Sequence, residues 1–258
     1  MKKKSRYQLL MEEAPDGQYR AKKYLNLIRN DLKAAADPAI AESSKRFFKK
    51  GEHFLCYGLK NAEVNRIAKQ YGADTKGLSK SGILALCEAL WQSGYQEEAG
   101  IACALAERLG SASTPDDFDM YAAWANRYVL NWAMCDTFCK HTVGDLVMKY
   151  PELAERLFDW TRSENRWIKR GSAVTLIAPA SRGLFLPLVF RIADALLQDA
   201  DDMVQKGYGW ALKAASKAHE QEVFDFVMAR RAIMPRTALR YAIEKMPLEK
   251  RKLAMNKG

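Results

Sequence analysis

Three short stretches of the 258-residue chain put tryptophan beside charge. In Asn131-Trp132-Ala133-Met134-Cys135-Asp136 the indole and the carboxylate stand four residues apart, so a helix brings them to one side. Arg166-Trp167-Ile168-Lys169-Arg170 clusters cations around a second indole. Lys206-Gly207-Tyr208-Gly209-Trp210-Ala211-Leu212-Lys213 carries two glycines inside a helical pattern. Each glycine there costs roughly 1 kcal/mol relative to alanine, and it leaves room for a neighbouring helix or a ligand to pack close to that backbone. An indole face attracts a cation by about 0.5–2 kcal/mol when desolvated. A carboxylate nearby stabilises positive charge as it develops. An indole and a carboxylate on one side, as Trp132 and Asp136 would be, therefore suit a positively charged group. Each stretch also has a plainer reading. Tryptophan at helical spacing fills cores, Asp136 can cap a helix or pair with a lysine, and the basic run around Arg170 can be a solvated face.

Other chemistries find little support. The histidines are His53, His141 and His219, and none has a nucleophile at a recognisable spacing. No GxGxxG or Walker-type loop is present, and Gly207-Tyr208-Gly209 lacks the preceding strand that a phosphate-cradling loop needs. Cys135, Cys139 and His141 could suggest a metal site, but no second ligand pair follows them. The five cysteines, Cys56, Cys87, Cys103, Cys135 and Cys139, read as helix-core thiols of a reducing cytoplasm.

The elements that must position these residues read as helices throughout. Asp37-Pro38 and Thr114-Pro115 each set a capping residue before a proline at the first helical position, with Asp117 completing an acidic first turn. Pro151, Pro235 and Pro247 also stand where helices should begin. Apolar positions recur at three- and four-residue spacing in 83–91, 97–109, 118–130, 153–161, 167–177, 184–197, 202–217, 223–230 and 236–245. No alternating strand pattern and no Asn-Gly or Asp-Gly hairpin signal interrupts them. From residue 83 onward the stretches form pairs at intervals of some 30–40 residues, the range of helical solenoids. The expected fold is all-α, a HEAT-like α-solenoid of stacked antiparallel helix pairs with a concave basic groove. The structural alternative is a globular helix bundle. We expect one helical-repeat domain over 1–258, with 1–20 as a basic tail.

Net charge is +10 and the sequence pI is about 9.3, which points to a polyanionic partner, because Lys and Arg release the counterions condensed on phosphate. Met1-Lys2-Lys3-Lys4-Ser5 is followed by no apolar core of a secretory signal, and no apolar run approaches the roughly 18 residues of a membrane span. A cytoplasmic protein with no membrane partner is expected.

Taken in order, Trp132, Asp136, Arg170 and Trp210 resemble the functional set of the AlkD family of DNA alkylation-repair glycosylases. Phe54-Leu55-Cys56-Tyr57-Gly58-Leu59-Lys60, leading to Arg66, resembles that family's Phe/Gly/Lys segment. Met234-Pro235-Arg236-Thr237-Ala238-Leu239-Arg240-Tyr241-Ala242 is similar to its C-terminal helix, and the resemblance covers about residues 50–245. It implies a HEAT-like solenoid that holds duplex DNA and cleaves the N-glycosidic bond of N3- and N7-alkylated purines, without flipping the lesion into a pocket. Asp136 would be the catalytic carboxylate, and Trp132 and Trp210 would contact the deoxyribose. Arg170 would hold a backbone phosphate, with Lys169 as the alternative one place away, because Gly171-Ser172-Ala173 stands where the family more often has Arg-Thr-Ala. Lys213, Arg236 and Arg240 would add DNA contacts.

The chemistry is coherent in itself. Alkylation makes the purine a cation and a good leaving group, so the enzyme need only stabilise the oxocarbenium-like sugar and guide water to C1′. No metal or organic cofactor is called for, and a monomer acting on alkylated duplex DNA is the expectation. Two alternatives stay open. One is a non-catalytic helical-repeat protein that binds DNA structures or a protein partner; the other is an RNA-binding protein.

DNA affinity should fall steeply with salt, with a log–log slope near −0.9 per phosphate contacted. Charge reversal at Arg236 and Arg240, measured by salt titration of binding, should make that slope shallower. An unchanged slope would assign these residues to a solvated helix face.

Overall fold

The computed structural model describes residues 15–256, with side chains from residue 20 onward. The basic tail expected over 1–20 lies, up to residue 14, outside the described residues, and the helix Pro15–Ala34 takes up its remainder. Among the described residues the chain is helical with no named strand; one isolated bridge joins Leu55 and Tyr95. The chain adopts the expected all-α class of packed helix pairs. No helix among the described residues is long and apolar enough to cross a membrane. Contacts divide the chain into two compact units, Met1–Phe138 and Cys139–Gly258.

The first unit holds the helices Pro15–Ala34, Pro38–Ser44, Asn61–Asp74, Lys80–Trp91, Gln96–Glu107, Asp117–Tyr128 and Trp132–Thr137. Lys80–Trp91 and Gln96–Glu107 form the central hairpin; Pro15–Ala34 packs on the first and Asn61–Asp74 on the second. The four-residue spacing of Ile28 and Leu32, Leu86 and Leu90, and Ile101 and Leu105 turns one face of each helix inward, and all six side chains are buried. A knot of aromatic rings fills the unit's other end. Phe138 meets Trp91 at 5.2 Å and Tyr121 at 5.7 Å, both edge to face. The indole N–H groups of Trp91 and Trp124 are buried without an acceptor among the described residues.

Two adjacent carboxylates, Glu97 and Glu98, are buried at the start of Gln96–Glu107, where the helix dipole favours negative charge. Glu97 accepts the backbone N–H groups of Tyr57, Gly58 and Leu59 at 2.9–3.1 Å. Glu98 accepts a forked guanidinium from Arg29 at 3.0–3.1 Å and the Tyr57 hydroxyl at 2.7 Å. Burial, reinforced by Glu98, pushes the Tyr57 hydroxyl well above the usual phenol range, so it keeps the proton it donates. Gly58 sits at φ +90°, and a Cβ there would stand 2.1 Å from the Asp37 carbonyl oxygen, so this turn admits only glycine.

Capping follows the sequence in part. Asp37 accepts the Ala39 N–H at 2.8 Å and starts Pro38–Ser44 as expected. Thr114 does not cap. The helix begins at Asp117, whose buried carboxylate takes the Thr114 N–H at 2.8 Å and the Lys80 ammonium at 2.7 Å. Asp117 stands in the acidic first turn as expected, and from there it also binds the chain ahead of it.

The chain passes from one unit to the other within a π-helical turn, Phe138–Val143. The second unit is centred on Asp202–Ala215, which packs against Arg166–Val174, Leu186–Ala195 and Arg236–Ala242. Glu220–Arg230 and Leu248–Met255 complete it. Tyr208, fully buried, donates its hydroxyl to the Leu197 carbonyl at 2.9 Å. Pro151 opens a 3-10 turn, Pro151–Glu155, rather than a full α-helix, and the helical stretch expected over 153–161 continues as Arg156–Trp160.

Glu97→Ala should destabilise the first unit by about 3 kcal/mol, because three N–H groups, two of them buried, lose their acceptor at about 1–3 kcal/mol for each buried group. Glu97→Gln, which retains one acceptor oxygen, should cost less. Chemical denaturation checks both; a Glu97→Ala variant as stable as the parent would show that the carboxylate is dispensable.

Candidate functional site

Trp132 and Asp136 are placed by Asn131. This residue is fully buried, accepts the Met134 N–H at 2.9 Å and donates its amide to the His53 carbonyl and the Gln96 side chain at 3.2 Å each. Its cap fixes where Trp132–Thr137 begins. Met134 and Cys135 turn into the core, which leaves Trp132 and Asp136 half-buried one helical turn apart. The carboxylate and the indole thus share a face, as their spacing predicts.

Trp132 is held on two sides. Its indole N–H donates to the Phe47 carbonyl at 3.3 Å, and its ring stacks on Phe48 at 5.5 Å, which stacks in turn on Phe54 at 4.0 Å. Phe47 itself is exposed, with the Arg46 guanidinium 4.9 Å over its ring. Sequence reasoning missed Phe47 and Phe48. Their signal was the aromatic pair inside the basic run Lys45-Arg46-Phe47-Phe48-Lys49-Lys50, a pattern suited to nucleic acid.

In the second unit, Arg170 is only 4% exposed. Its guanidinium donates to the Met203 carbonyl, and its stem crosses Gly207, where a Cβ would meet the Arg170 Cγ at 3.1 Å. Arg170 thus braces the helix Asp202–Ala215, a less direct route to a phosphate than its place in the sequence suggests. Lys169 pairs with Asp199, and its side chain is 22% exposed. Arg166 stacks on Trp167 at 4.7 Å and pairs with Asp201 at 2.8 Å.

Trp210 is half-buried on the helix that Arg170 braces, with the Lys140 ammonium 5.8 Å from its ring centroid. Burial, and then the charge of Lys140, lower the proton affinity of His141, so the neighbouring imidazole stays neutral at neutral pH. Lys213 pairs with Glu244 at 2.8 Å and lies 5.4 Å over Tyr241. Arg236 and Arg240 are exposed on Arg236–Ala242, with Arg236 donating to the Met255 carbonyl at 3.1 Å. The two glycines have separate reasons. Gly207 admits the Arg170 stem, whereas at Gly209 a Cβ would stand 2.8 Å from both the Ala238 carbonyl oxygen and the Tyr241 Cβ. A neighbouring helix, Arg236–Ala242, therefore supplies the close approach at Gly209.

The family model described as "DNA alkylation repair enzyme" matches residues 28–246. Among solved structures the chain is similar to one titled "Predicted DNA alkylation repair enzyme from Enterococcus faecalis", with a TM-score of 0.74 at 18% sequence identity. That match covers 83% of this chain and 97% of the other, and it is a likeness of fold. No curated protein matches the chain.

The glycines make a paired prediction. Alanine gains about 1 kcal/mol of helix propensity over glycine. At Gly207 the flexible Arg170 stem can yield a few tenths of an ångström, so Gly207→Ala should leave stability nearly unchanged. At Gly209 the obstacle is backbone, so Gly209→Ala should cost about 1–3 kcal/mol net. Thermal denaturation of both variants checks the order, and equal costs would contradict it.

Proposed function

The chain belongs to the DNA alkylation repair enzyme family, and on that premise we propose that it is a DNA glycosylase, hydrolysing the N-glycosidic bond of N3- and N7-alkylated purines in duplex DNA. The observation that carries this reading is the pairing of Trp132 and Asp136. An indole fixed at its N–H and on one face stands one turn from a carboxylate on a helix with a buried cap. Such a pair suits a positive charge that develops at a fixed place.

In the proposed reaction the C1′–N bond of the alkylated nucleotide breaks. The base leaves with the bonding electrons as a neutral alkylpurine, and the deoxyribose carries the positive charge. The Asp136 carboxylate stabilises that charge, and the indole faces of Trp132 and Trp210 add cation–π attraction. Water then bonds to C1′, and its proton passes to Asp136 or to solvent. Because the cationic base leaves unaided, the site needs no acid aimed at the purine. Lys213, Arg236 and Arg240 contact the DNA backbone, Lys169 joins them by exchanging Asp199 for a phosphate, and Arg170 steadies the helix that carries Trp210.

Asp136→Asn should keep the fold and lesion binding while slowing base release by about 10²–10³, since the amide removes the charge at nearly constant shape. The measurement is release of 7-methylguanine from duplex DNA in single turnover with saturating enzyme. The loss should be smaller for the most labile lesions, which ask less of the enzyme. Wild-type release by Asp136→Asn would make the carboxylate structural. If the parent protein binds such DNA but releases no base, it is a binding module instead.

A further inference from the structure

Four cations of the helices Arg166–Val174 and Asp202–Ala215 are paired with acids, and Lys140 is not. Lys169, Lys206 and Lys213 are tied to Asp199, Asp202 and Glu244, as Arg166 is to Asp201. Among the described residues Lys140 makes no ion pair, and its ammonium lies over the Trp210 ring. Other cation–π pairs that join distant segments are different in kind. Arg191 over Phe158, Lys213 over Tyr241 and Lys250 over Phe224 each have a carboxylate on the cation: Glu155, Glu244 and Glu220. In those pairs the acid accounts for the position of the charge, and the ring is incidental. At Trp210 the ring is what the charge rests on. An unpaired lysine in water gains nothing from ordering four rotatable bonds unless a partner holds its head.

We infer that Lys140 is a resident occupant of the cation-binding face of Trp210, sitting where a positively charged nucleotide sits and leaving when DNA arrives. The inference rests on the proposed function only for the identity of the incoming cation. Two like charges cannot share one indole face in a half-buried place, so the lysine must move off before the sugar or base cation can bind. A DNA phosphate offers the ammonium a stronger partner than an indole does. The exchange therefore ties exposure of the ring to the presence of the backbone. Free cations meet an occupied face, whereas DNA supplies the counter-charge that clears it. Lys140 is a specificity-determining residue in this account, with no covalent part in the reaction.

The experiment compares binding of two duplexes. One carries a pyrrolidine abasic analogue, cationic at neutral pH, and the other a neutral tetrahydrofuran analogue at the same position. Their affinity ratio cancels phosphate contacts common to both. Lys140→Met keeps the length of the stem and removes the charge, so the ratio should shift about three- to tenfold towards the cationic duplex. Lys140→Arg keeps a cation on the ring and should hold the parental ratio. In the Trp210→Leu background the effect of Lys140→Met should vanish. If Lys140→Met leaves the ratio unchanged while Trp210→Leu lowers it, the occupancy proposal is overturned and the role of Trp210 stands. If Lys140→Met weakens both duplexes equally, the lysine only touches phosphate, and the proposal is likewise overturned. If neither Lys140→Met nor Trp210→Leu moves the ratio, Trp210 binds no cation, which overturns this inference together with that part of the functional reading.

Discussion

The first unit depends on two carboxylates that have no business being dry. Glu97 and Glu98 are 5% and 0% exposed, a position that is costly for an acid unless every lone pair is used. The use made of them organises the unit. Glu98 draws in Arg29 from the helix Pro15–Ala34, and Glu97 gathers the amides of the turn at 57–59. The same helix start binds the preceding segment through Gln96, whose N–H donates to the Leu55 carbonyl at 2.8 Å. The Gln96 side chain also accepts from Asn131, the residue that sets the start of the Trp132 and Asp136 helix. A continuous series of hydrogen bonds thus leads from a buried acid to the face on which the candidate chemistry stands. Positioning of Trp132 is a property of this network more than of its own short helix, because six residues are too few to hold a helix by propensity alone.

How much of this could be read in advance depends on the range of the interaction. Helix class, the cap at Asp37 and the shared face of Trp132 and Asp136 are local, set within four residues, and the sequence shows them directly. The glycines at 207 and 209 announced a close approach, but whether helix or ligand came near required the neighbour, and both turned out to be protein. Glu97 and Glu98 look like an ordinary acidic first turn, and nothing local says they bind a loop some 40 residues earlier. Phe48 and Trp132 meet across more than 80 residues. Lys140 stands four residues after Asp136, yet the π-helical turn that begins at Phe138 spoils the angular reading that an α-helix would give. Arg170 shows the reverse error. Its place in a basic run suggests a surface, and the fold buries it.

The surplus of +10 is also more structured than a count conveys. Lys169, Arg166, Lys206, Lys213, Arg230 and Lys250 of the second unit each face an acid. Partly exposed pairs of this kind contribute about 0–1 kcal/mol to stability, so they keep side chains in place at little thermodynamic commitment. A phosphate competes with such a partner on nearly even terms. The cations are held ready rather than spent, and long-range attraction of a polyanion comes from the excess that no acid neutralises.

Four of the six tryptophans mark two optical settings. Trp91 and Trp124 are 2% exposed, and their N–H groups meet no acceptor among the described residues, a setting that keeps an excited indole dipole unrelaxed and its emission blue. Trp132 and Trp210 are half-buried, one hydrogen-bonded to a carbonyl and the other under an ammonium, a setting that shifts and quenches emission. The spectrum of the intact protein therefore carries two channels without any label. Trp160 and Trp167 of the second unit, each 8% exposed, add to the buried set, so the short-wavelength edge follows packing in both units while the long-wavelength edge follows the indoles assigned to the chemistry. Unfolding and ligand arrival are thus separable by colour in one cuvette.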